Sequence, residues 1–334
     1  MKNKIDILLI ALIIGIFYTN IFSQEKIAQT GFQFLSVVSD ARGAAMGEAM
    51  NSLQIGSSAL FFNPAGMADM QGFLDVSAST NEWIADITHT TVAVAFKPSN
   101  GEYGVFGFSA QYVNYGNFYG TVVDAASPQG YDDTGIFQLC AYAIGIGYAK
   151  QLTDKFSIGG QIKYVHQDLG TSTIPVIANG DTTKETTSNI LSPLAFDFGT
   201  QFKTGIKSLV FGMSVRNFST EVKYADEGFE APLMFTLGIS MNVLDLVQDL
   251  PFNQSLLASL DACHYTDHAE QVKVGLEYKI LNSVSLRGGY ISSDDIGGFS
   301  FGLGFSQAGF TIDYAYSPTS VFNSVQRFTA RFAL

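Results

Sequence analysis

The sequence predicts an all-β fold, namely a 14-stranded antiparallel transmembrane β-barrel with an N-terminal hatch or plug segment. Three observations support this prediction. Apolar and polar residues alternate with period two in about fourteen short segments after residue 73, the connections between them are alternately long and short, and the preceding residues lack the alternation. A strand with apolar groups on one face and polar groups on the other separates lipid from a polar lumen.

Residues 1–23 resemble a secretory signal peptide. Lys2 and Lys4 give the basic start, residues 7–17 are apolar, and the small residue Ser23 lies at a plausible cleavage point. The apolar run is short for a membrane-spanning helix, which needs roughly 20 residues. Cleavage is therefore favoured over an uncleaved anchor, and the chain is expected to be exported.

Residues 24–72 are expected to form a hatch inside or beneath the barrel. Residues 40–50 are rich in Gly and Ala, and a turn follows them. The turn motif consists of Asn63, Pro64, Ala65 and Gly66. Fourteen strands enclose more space than their own side chains fill, so a compact segment can plug the lumen. A flexible periplasmic tail is the alternative, but residues 60–62 (Leu-Phe-Phe) would then be exposed to water.

Residues 73–334 are expected to form the outer-membrane barrel. In the last strand Phe328, Phe332 and Leu334 fall on one face, as in strands that face lipid. The predicted strands span 73–80, 87–97, 103–113, 135–149, 155–168, 190–204, 207–217, 232–242, 255–264, 271–281, 283–291, 298–305, 308–316 and 324–334.

The connections indicate the orientation of the barrel. If both mature termini face the periplasm, the three longest connections, 114–134, 169–189 and 218–231, all lie outside the cell. Most of the opposite turns are short. The exception is 243–254, which is expected to form a short amphipathic helix at the membrane surface. The predicted location is the outer membrane of a Gram-negative cell, crossed many times and in contact with outer-membrane lipid.

Composition and motifs exclude several function classes. A net charge of −12 makes nucleic acid an improbable partner. No phosphate loop, nucleophile elbow or paired-Cys metal site is present, so neither an enzyme nor a cofactor or metal is expected. His264 and His268 have a metal-like spacing, but solvated loop residues are the simpler interpretation. A disulfide between Cys140 and Cys263 is possible, yet two free thiols in separate strands are favoured.

Charged residues on the lumen face are expected to pair with each other or with the hatch, and such structural tethering is favoured over a role in transport selectivity. Hatch residues Asp40, Arg42 and Glu48 are available as partners for the charges of the wall. The predicted lumen-facing charges are Lys163, Asp197, Lys203, Glu277 and Arg287.

Three motifs in the hatch carry a resemblance to a known family. Residues 31–35 (GFQFL), 40–49 (DARGAAMGEA) and 59–67 (ALFFNPAGM) resemble the opening of the PorV/PorQ family, within the FadL-like group of outer-membrane barrels. The resemblance implies an Asn-Pro-Ala hatch inside a fourteen-strand barrel. It also implies a role in type IX secretion, with the translocon and the C-terminal β-domains of secreted cargo proteins as partners.

Two functional hypotheses follow, and a structural barrel without a ligand is a third possibility. In the first, the barrel binds or shuttles cargo through aromatic anchors on its external loops. The expected anchors are Tyr115, Phe118, Tyr119, Tyr131, Tyr224 and Phe229. In the second, a FadL-like transporter takes up hydrophobic small molecules such as long-chain fatty acids through a lateral gap. The polar composition of 171–189 disfavours this second hypothesis, which needs an apolar external loop.

Overall fold

A computed structural model describes residues 30–124, 127–178, 181–224, 228–247, 253–292, 298–320 and 322–334. The predicted signal peptide lies outside the described residues. The strands are β1 Leu74–Glu82, β2 Thr88–Phe96, β3 Val105–Val123, β4 Tyr131–Thr153, β5 Phe156–Ala178, β6 Asp181–Leu191, β7 Leu194–Lys203, β8 Val210–Ser219, β9 Val222–Lys223, β10 Gly228–Phe229, β11 Met234–Asn242, β12 Gln254–Tyr265, β13 Gln271–Ile280, β14 Val284–Ile291, β15 Phe299–Gln307, β16 Phe310–Ser317 and β17 Val325–Ala333.

These strands close into an antiparallel barrel with fourteen positions. β6 and β7 share one position, because both pair with β5, β6 with its second half and β7 with its first half. β9 and β10 form a separate small hairpin. The remaining strands pair with their neighbours in chain order, and β1 pairs with β17 from Asp75↔Ala333 to Glu82↔Gln326 to close the ring. The predicted fold class is confirmed.

Side chains alternate between the two faces of the wall. On β13, Val272, Val274 and Leu276 are exposed on the outer face, whereas Lys273 and Glu277 are buried on the lumen side. The outer face is therefore an apolar belt for lipid, and the barrel is a multi-pass outer-membrane protein. None of the helices in the described ranges is long and apolar enough to span a membrane.

The predicted loops 114–134 and 169–189 are largely strands, which corrects the sequence-based boundaries. Residues 115–123 of β3 pair with 131–139 of β4, here called the 115–139 hairpin, and residues 169–178 of β5 pair with 181–191 of β6, here called the 169–191 hairpin. Each hairpin begins at a shift in strand register, between Asn114 and Asn117 or between Asp168 and Thr171. Such bulges interrupt the alternation on which the prediction relied.

The other two long connections contain short elements. The connection 218–231 includes the β9–β10 hairpin, in which Phe229 pairs with Val222. In 243–254 the described residues include a 3-10 helix, Val243–Leu246, while residues 248–252 of the predicted amphipathic helix lie outside the described residues. Four residues in this conformation are too short to present an apolar face along a membrane surface.

Residues 30–70, here called the luminal segment, lie inside the barrel. Their elements are the 3-10 helices Gln33–Ser36, Gly56–Phe61 and Pro64–Met67 and a short α-helix, α1, Ala41–Ala45. The side chain of Asp40 caps α1 by accepting a hydrogen bond of 2.7 Å from the Gly43 amide. The segment is almost entirely buried against the inner face of the wall.

The described chain enters the lumen from the end that carries the long hairpins. The Gly31 amide donates to the Glu230 carbonyl at 3.0 Å, and the Thr30 hydroxyl donates to Asp267 at 2.9 Å. Leu334 lies at the opposite end, where its amide donates to the Leu74 carbonyl. Contacts with external connections thus hold residues 30 and 31 at that end, while the mature N-terminus, which is predicted to face the periplasm, lies outside the described residues.

Glycine pairs line the wall where the luminal segment crosses it. Each pair consists of two glycines directly opposite each other on neighbouring strands: Gly107 with Gly147, Gly159 with Gly199, Gly212 with Gly238, and Gly275 with Gly289. A Cβ atom built on Gly159 would lie 2.5 Å from the Ala65 amide nitrogen. The absence of side chains lets the backbone of the luminal segment touch the wall at Gly159, Gly212, Gly275 and Gly289, and it makes room for Leu60 and Met67 at Gly107 and Gly147.

Candidate functional site

Salt bridges fix α1 to the wall. Glu277 accepts hydrogen bonds from Arg42 Nε at 2.8 Å and Arg42 Nη2 at 2.7 Å, and it also accepts from Arg287. Arg287 in turn pairs with Asp313 at 2.6 Å. One carboxylate thus joins two guanidinium groups, and its charge is neutralised where water is scarce.

Two further ion pairs hold the luminal segment. Lys273 pairs with Glu48 at 2.7 Å, and Lys203 pairs with Asp69 at 2.6 Å. The prediction that charges of the wall face the lumen and pair with hatch residues is confirmed for Arg42 and Glu48. Lys163 and Asp197 also face the lumen, but they pair with each other at 2.8 Å.

The Asn-Pro-Ala-Gly turn is hydrogen-bonded to the inner face of the barrel wall. Asn63 Oδ1 accepts the Ala65 amide at 3.1 Å, while Asn63 Nδ2 donates to the carbonyls of Asn51 at 2.8 Å and Thr200 at 3.1 Å. Pro64 begins a 3-10 helix, where its fixed φ and missing N–H are tolerated. Gly66 is buried, and a Cβ there would lie 2.6 Å from the Leu53 carbonyl oxygen. All four motif residues therefore anchor the luminal segment.

An apolar cluster, here called the outer chamber, fills the lumen at its external end. Small and apolar wall residues face inward and pack against three side chains of the luminal segment. The wall residues are Val113, Ala141, Ala143, Val165 and Ala195, and the luminal side chains are Phe32, Phe34 and Leu35. Gln111 Nε2 donates to the Phe34 carbonyl at 2.8 Å and Gln167 accepts from the Phe32 amide at 3.3 Å, so both aromatic residues are held in place.

The six predicted loop anchors fall into two groups. Tyr115, Tyr224 and Phe229 cover the outer chamber: Tyr115 is half-buried, and the Phe229 ring lies 6.0 Å from Phe32 and 5.3 Å from Tyr224. The remaining anchors lie on the 115–139 hairpin, where Tyr119 is 81% exposed and Phe118 is 40% exposed. Tyr131, the first residue of β4, is also exposed.

A small cavity lies below the outer chamber. Leu35, Phe61 and Phe62 line its apolar side, and Lys163, Asp197 and Arg216 line its polar side. Its volume of about 30 Å³ holds one or two water molecules.

Arg216 is a buried cation at this cavity, and Glu48 and Asp261 line a neighbouring cavity with it. It is only 8% exposed, yet none of the ion pairs among the described residues includes it. Its Nη1 donates to the Phe61 carbonyl, its Nη2 lies 3.5 Å from Met234 Sδ, and its Nε has no hydrogen-bond partner. A buried guanidinium with an unused donor is a ready binding point for an anionic group.

Asp267 fastens the start of the luminal segment outside the membrane. It accepts hydrogen bonds from Thr30 at 2.9 Å and from Gln33 at 2.7 Å, and it pairs with His268 at 2.7 Å. Burial raises the pKa of this carboxyl, but the hydrogen bonds from His268, Gln33 and Thr30 outweigh it and hold the pKa well below the usual range.

Comparison with solved structures supports the architecture. The Ralstonia pickettii toluene transporter TbuX matches with a TM-score of 0.54 at 12% identity, covering 88% of this chain and 98% of that one. The Pseudomonas putida toluene transporter TodX gives 0.53 at 14%, covering 92% and 98%. A Pseudomonas aeruginosa FadL homologue gives 0.50 at 13%, covering 88% and 98%.

The chain has the FadL-like barrel fold. At these identities the likeness concerns architecture alone, and it does not distinguish the PorV/PorQ family within the wider group. No protein-family model matches the sequence, and no curated protein matches it.

Sequence reasoning did not single out Arg216, Phe32 or Phe34 as site residues. A signal for Arg216 was present, because it is a charged residue at a lumen-facing position of the predicted strand 207–217. The role of Phe32 and Phe34 depends on the fold of a segment without strand periodicity. Only its position inside the barrel brings these rings against the wall.

Proposed function

We propose that the protein takes up hydrophobic small molecules that carry an anionic head group, such as long-chain fatty acids. The observation that carries this proposal is an apolar outer chamber directly above a buried Arg216 that lacks a carboxylate partner. The chamber would receive the apolar tail, and the guanidinium would receive the head group.

The chamber suits an apolar ligand because its wall is apolar on the lumen side. In most of the barrel the lumen face is polar, as Lys273 and Glu277 illustrate. Phe32, Phe34 and Leu35 now occupy the place that a ligand would take. Their displacement would cost buried apolar area, which the ligand's own burial would offset at roughly 25 cal/mol per Å².

The structural relatives support the hydrophobic part of the ligand. Two are toluene transporters and a third, at 11% identity and a TM-score of 0.56, is the CymD monoaromatic hydrocarbon channel. A hydrocarbon has no charge for Arg216 to recognise. The unused donor of Arg216 is therefore the reason for proposing an acidic ligand instead of a hydrocarbon.

The test compares oleate and toluene uptake into proteoliposomes that contain the wild type or Arg216→Gln. We expect Arg216→Gln to reduce oleate binding about tenfold or more, the loss typical of a charge-assisted hydrogen bond. Toluene uptake should not change. The matched control is Lys155→Gln, which removes an exposed cation in the turn between β4 and β5 at the opposite end of the barrel.

The outcomes separate the two ligand classes. Equal oleate uptake by the wild type and Arg216→Gln would remove the head-group assignment. Uptake of toluene but not oleate would move the proposal to hydrocarbons. Lack of uptake of either probe by folded wild-type protein would contradict transport.

A second candidate is a role as a partner protein in type IX secretion, as the hatch motifs imply. The observation that favours it is the exposure of Phe118, Tyr119 and Tyr131 on a hairpin that extends beyond the strands' predicted membrane-crossing lengths. Exposed aromatic residues of this kind mark protein-binding surfaces. Replacing all three with Ala should reduce the recovery of translocon or cargo proteins from native membranes.

The control for this experiment is Tyr103→Ala, which removes an exposed aromatic ring near the periplasmic turn between β2 and β3. If the triple variant recovers the same proteins as the control, the hairpin does not carry the partner contact.

A further inference from the structure

Above the membrane the described residues of the 115–139 and 169–191 hairpins are not paired with each other. The space between their unpaired edges is here called the cleft. β4 and β5 pair continuously up to Cys140↔Asp168, and no pair between them is formed beyond that point within the described residues. Above it, β4 pairs only with β3 and β5 pairs only with β6. By the strand order, the free edge of β4 and the free edge of β5 both face this cleft.

The two free edges differ in how they are protected. β5 carries a register shift after Asp168, and Pro175, which has no N–H for a strand ladder, lies along its upper part. β4 also carries a register shift, at Thr134, but its residues 135–139 contain neither Lys nor Pro. Natural proteins usually protect exposed edges with such residues, and an edge without them is a template for another strand.

The side chains of the β4 edge suit a polypeptide partner. Ile136 is 60% exposed, and Phe137 stays partly exposed although it leans towards Gly170 at the base of the cleft. An isolated two-stranded hairpin is marginally stable in water. Both observations indicate that this hairpin gains stability from a strand added at its edge.

Charge indicates the chemistry of that strand. Asp132 and Asp133 lie on the β4 edge and Asp168 lies at the base of the cleft, whereas residues 104–149 contain no Lys or Arg. A second copy of this chain that pairs in parallel register, or antiparallel about residues 132 and 133, would bring Asp132 and Asp133 close to their own counterparts, and it has no Lys or Arg in this segment to offset them. Like charges across paired strands are destabilising, so self-pairing is disfavoured and a basic segment is favoured.

We propose that an extended, Lys- or Arg-rich segment of a partner protein adds as a strand to the free edge of β4 in this cleft. Main-chain hydrogen bonds to residues 131–138 give the affinity, and Asp132 and Asp133 select basic side chains. This inference rests on the second candidate function, in which a protein docks outside the membrane, and it specifies the chemistry of that partner. It does not depend on uptake through the lumen.

The test uses the full-length protein in lipid nanodiscs and a nine-residue peptide of alternating Lys and Val as the probe. We expect the peptide to bind and to protect the amides of residues 131–138 from hydrogen exchange. A peptide of the same charge with Pro at two Val positions cannot form the ladder and should not protect them. A Glu-Val peptide should not bind.

The variant Asp132→Asn/Asp133→Asn should weaken binding of the Lys-Val peptide about tenfold, and added salt should weaken wild-type binding. The matched control Glu102→Gln/Asp154→Asn makes the same change of net charge in exposed turns at the opposite end of the barrel. It should leave the affinity unchanged.

Three results would overturn the proposal. These are equal binding of the Pro-containing peptide, an absence of added protection in residues 131–138, and dimers of the peptide-free protein with protection at the same amides. The last result would assign the edge to a second copy of the chain. Oleate uptake by Asp132→Asn/Asp133→Asn should match the wild type, so failure of peptide binding and failure of transport remain distinguishable.

Discussion

Neighbouring glycines on β14 show how a single residue decides whether the luminal segment fits. A Cβ on Gly289 would lie 2.5 Å from the Gly47 Cα, whereas a Cβ on Gly288 would meet nothing within 4 Å. We expect Gly289→Ala to lower the free energy of unfolding by roughly 1–3 kcal/mol through overpacking. Gly288→Ala should change it by less than about 0.5 kcal/mol.

Urea unfolding in lipid vesicles measures this difference, with Gly288→Ala as the control on the same strand. Similar stability for the two variants would mean that the segment moves away from the wall without cost.

Glu277 is the residue on which the α1 tether depends. Replacing it with Gln leaves Arg42 without a carboxylate, while Arg287 keeps its pair with Asp313. We expect Glu277→Gln to destabilise the protein by about 1–3 kcal/mol, because a half-buried guanidinium group then loses its carboxylate. The double variant Glu277→Gln/Arg42→Met should recover part of this loss in the same unfolding experiment. Equal stability of the two variants would contradict the tether.

At the scale of elements, the period-two pattern located all fourteen barrel positions, since each crossing strand lies between lipid and lumen. It could not predict the 115–139 hairpin, because both faces of that hairpin meet water and the bulge near Asn117 breaks the alternation. The sequence predicted that charges of the hatch pair with charges of the wall, but not that Arg42 pairs with Glu277. The two residues are 235 positions apart, and only the closed fold brings them together.

The 3-10 helix Gln33–Ser36 depends on Asp267 in a way that sets its pH response. A carboxyl group whose pKa is lowered on folding stabilises the fold at any pH above its pKa in the unfolded chain, which is about 3.9. This stabilisation is lost as the pH falls through the lower pKa of the folded state. We expect the helix to stay in place from pH 8 to 5 and to loosen only in stronger acid. Asp267→Asn should loosen it at every pH.

A nitroxide spin label at Ser36, in a background without Cys140 and Cys263, reports this motion by its line shape. A transition centred near pH 6.5, the ordinary value for histidine, would contradict the assignment to Asp267.

On the scale of the whole molecule, the ring of strands has no free edge inside the membrane, but the two hairpins expose edges above it. In lipid every backbone group must be paired, whereas in water an unpaired edge is tolerated and can bind another strand. The same strands β3 to β6 therefore serve two environments. The change from the closed barrel to the water-exposed hairpins occurs where the pairing of β4 with β5 ends, at Cys140↔Asp168.

The membrane boundary can be tested with one charge at two heights. Leu276 lies on the outer face in the middle of β13, and Ile136 is exposed on the 115–139 hairpin. We expect Leu276→Arg to cost about 2–4 kcal/mol, the cost of Arg at the bilayer midplane. Ile136→Arg should change stability by less than about 0.5 kcal/mol, because its side chain meets water. Urea unfolding in vesicles distinguishes the two, and an equal loss for Ile136→Arg would mean that the hairpin lies in lipid, where no partner strand could reach the β4 edge.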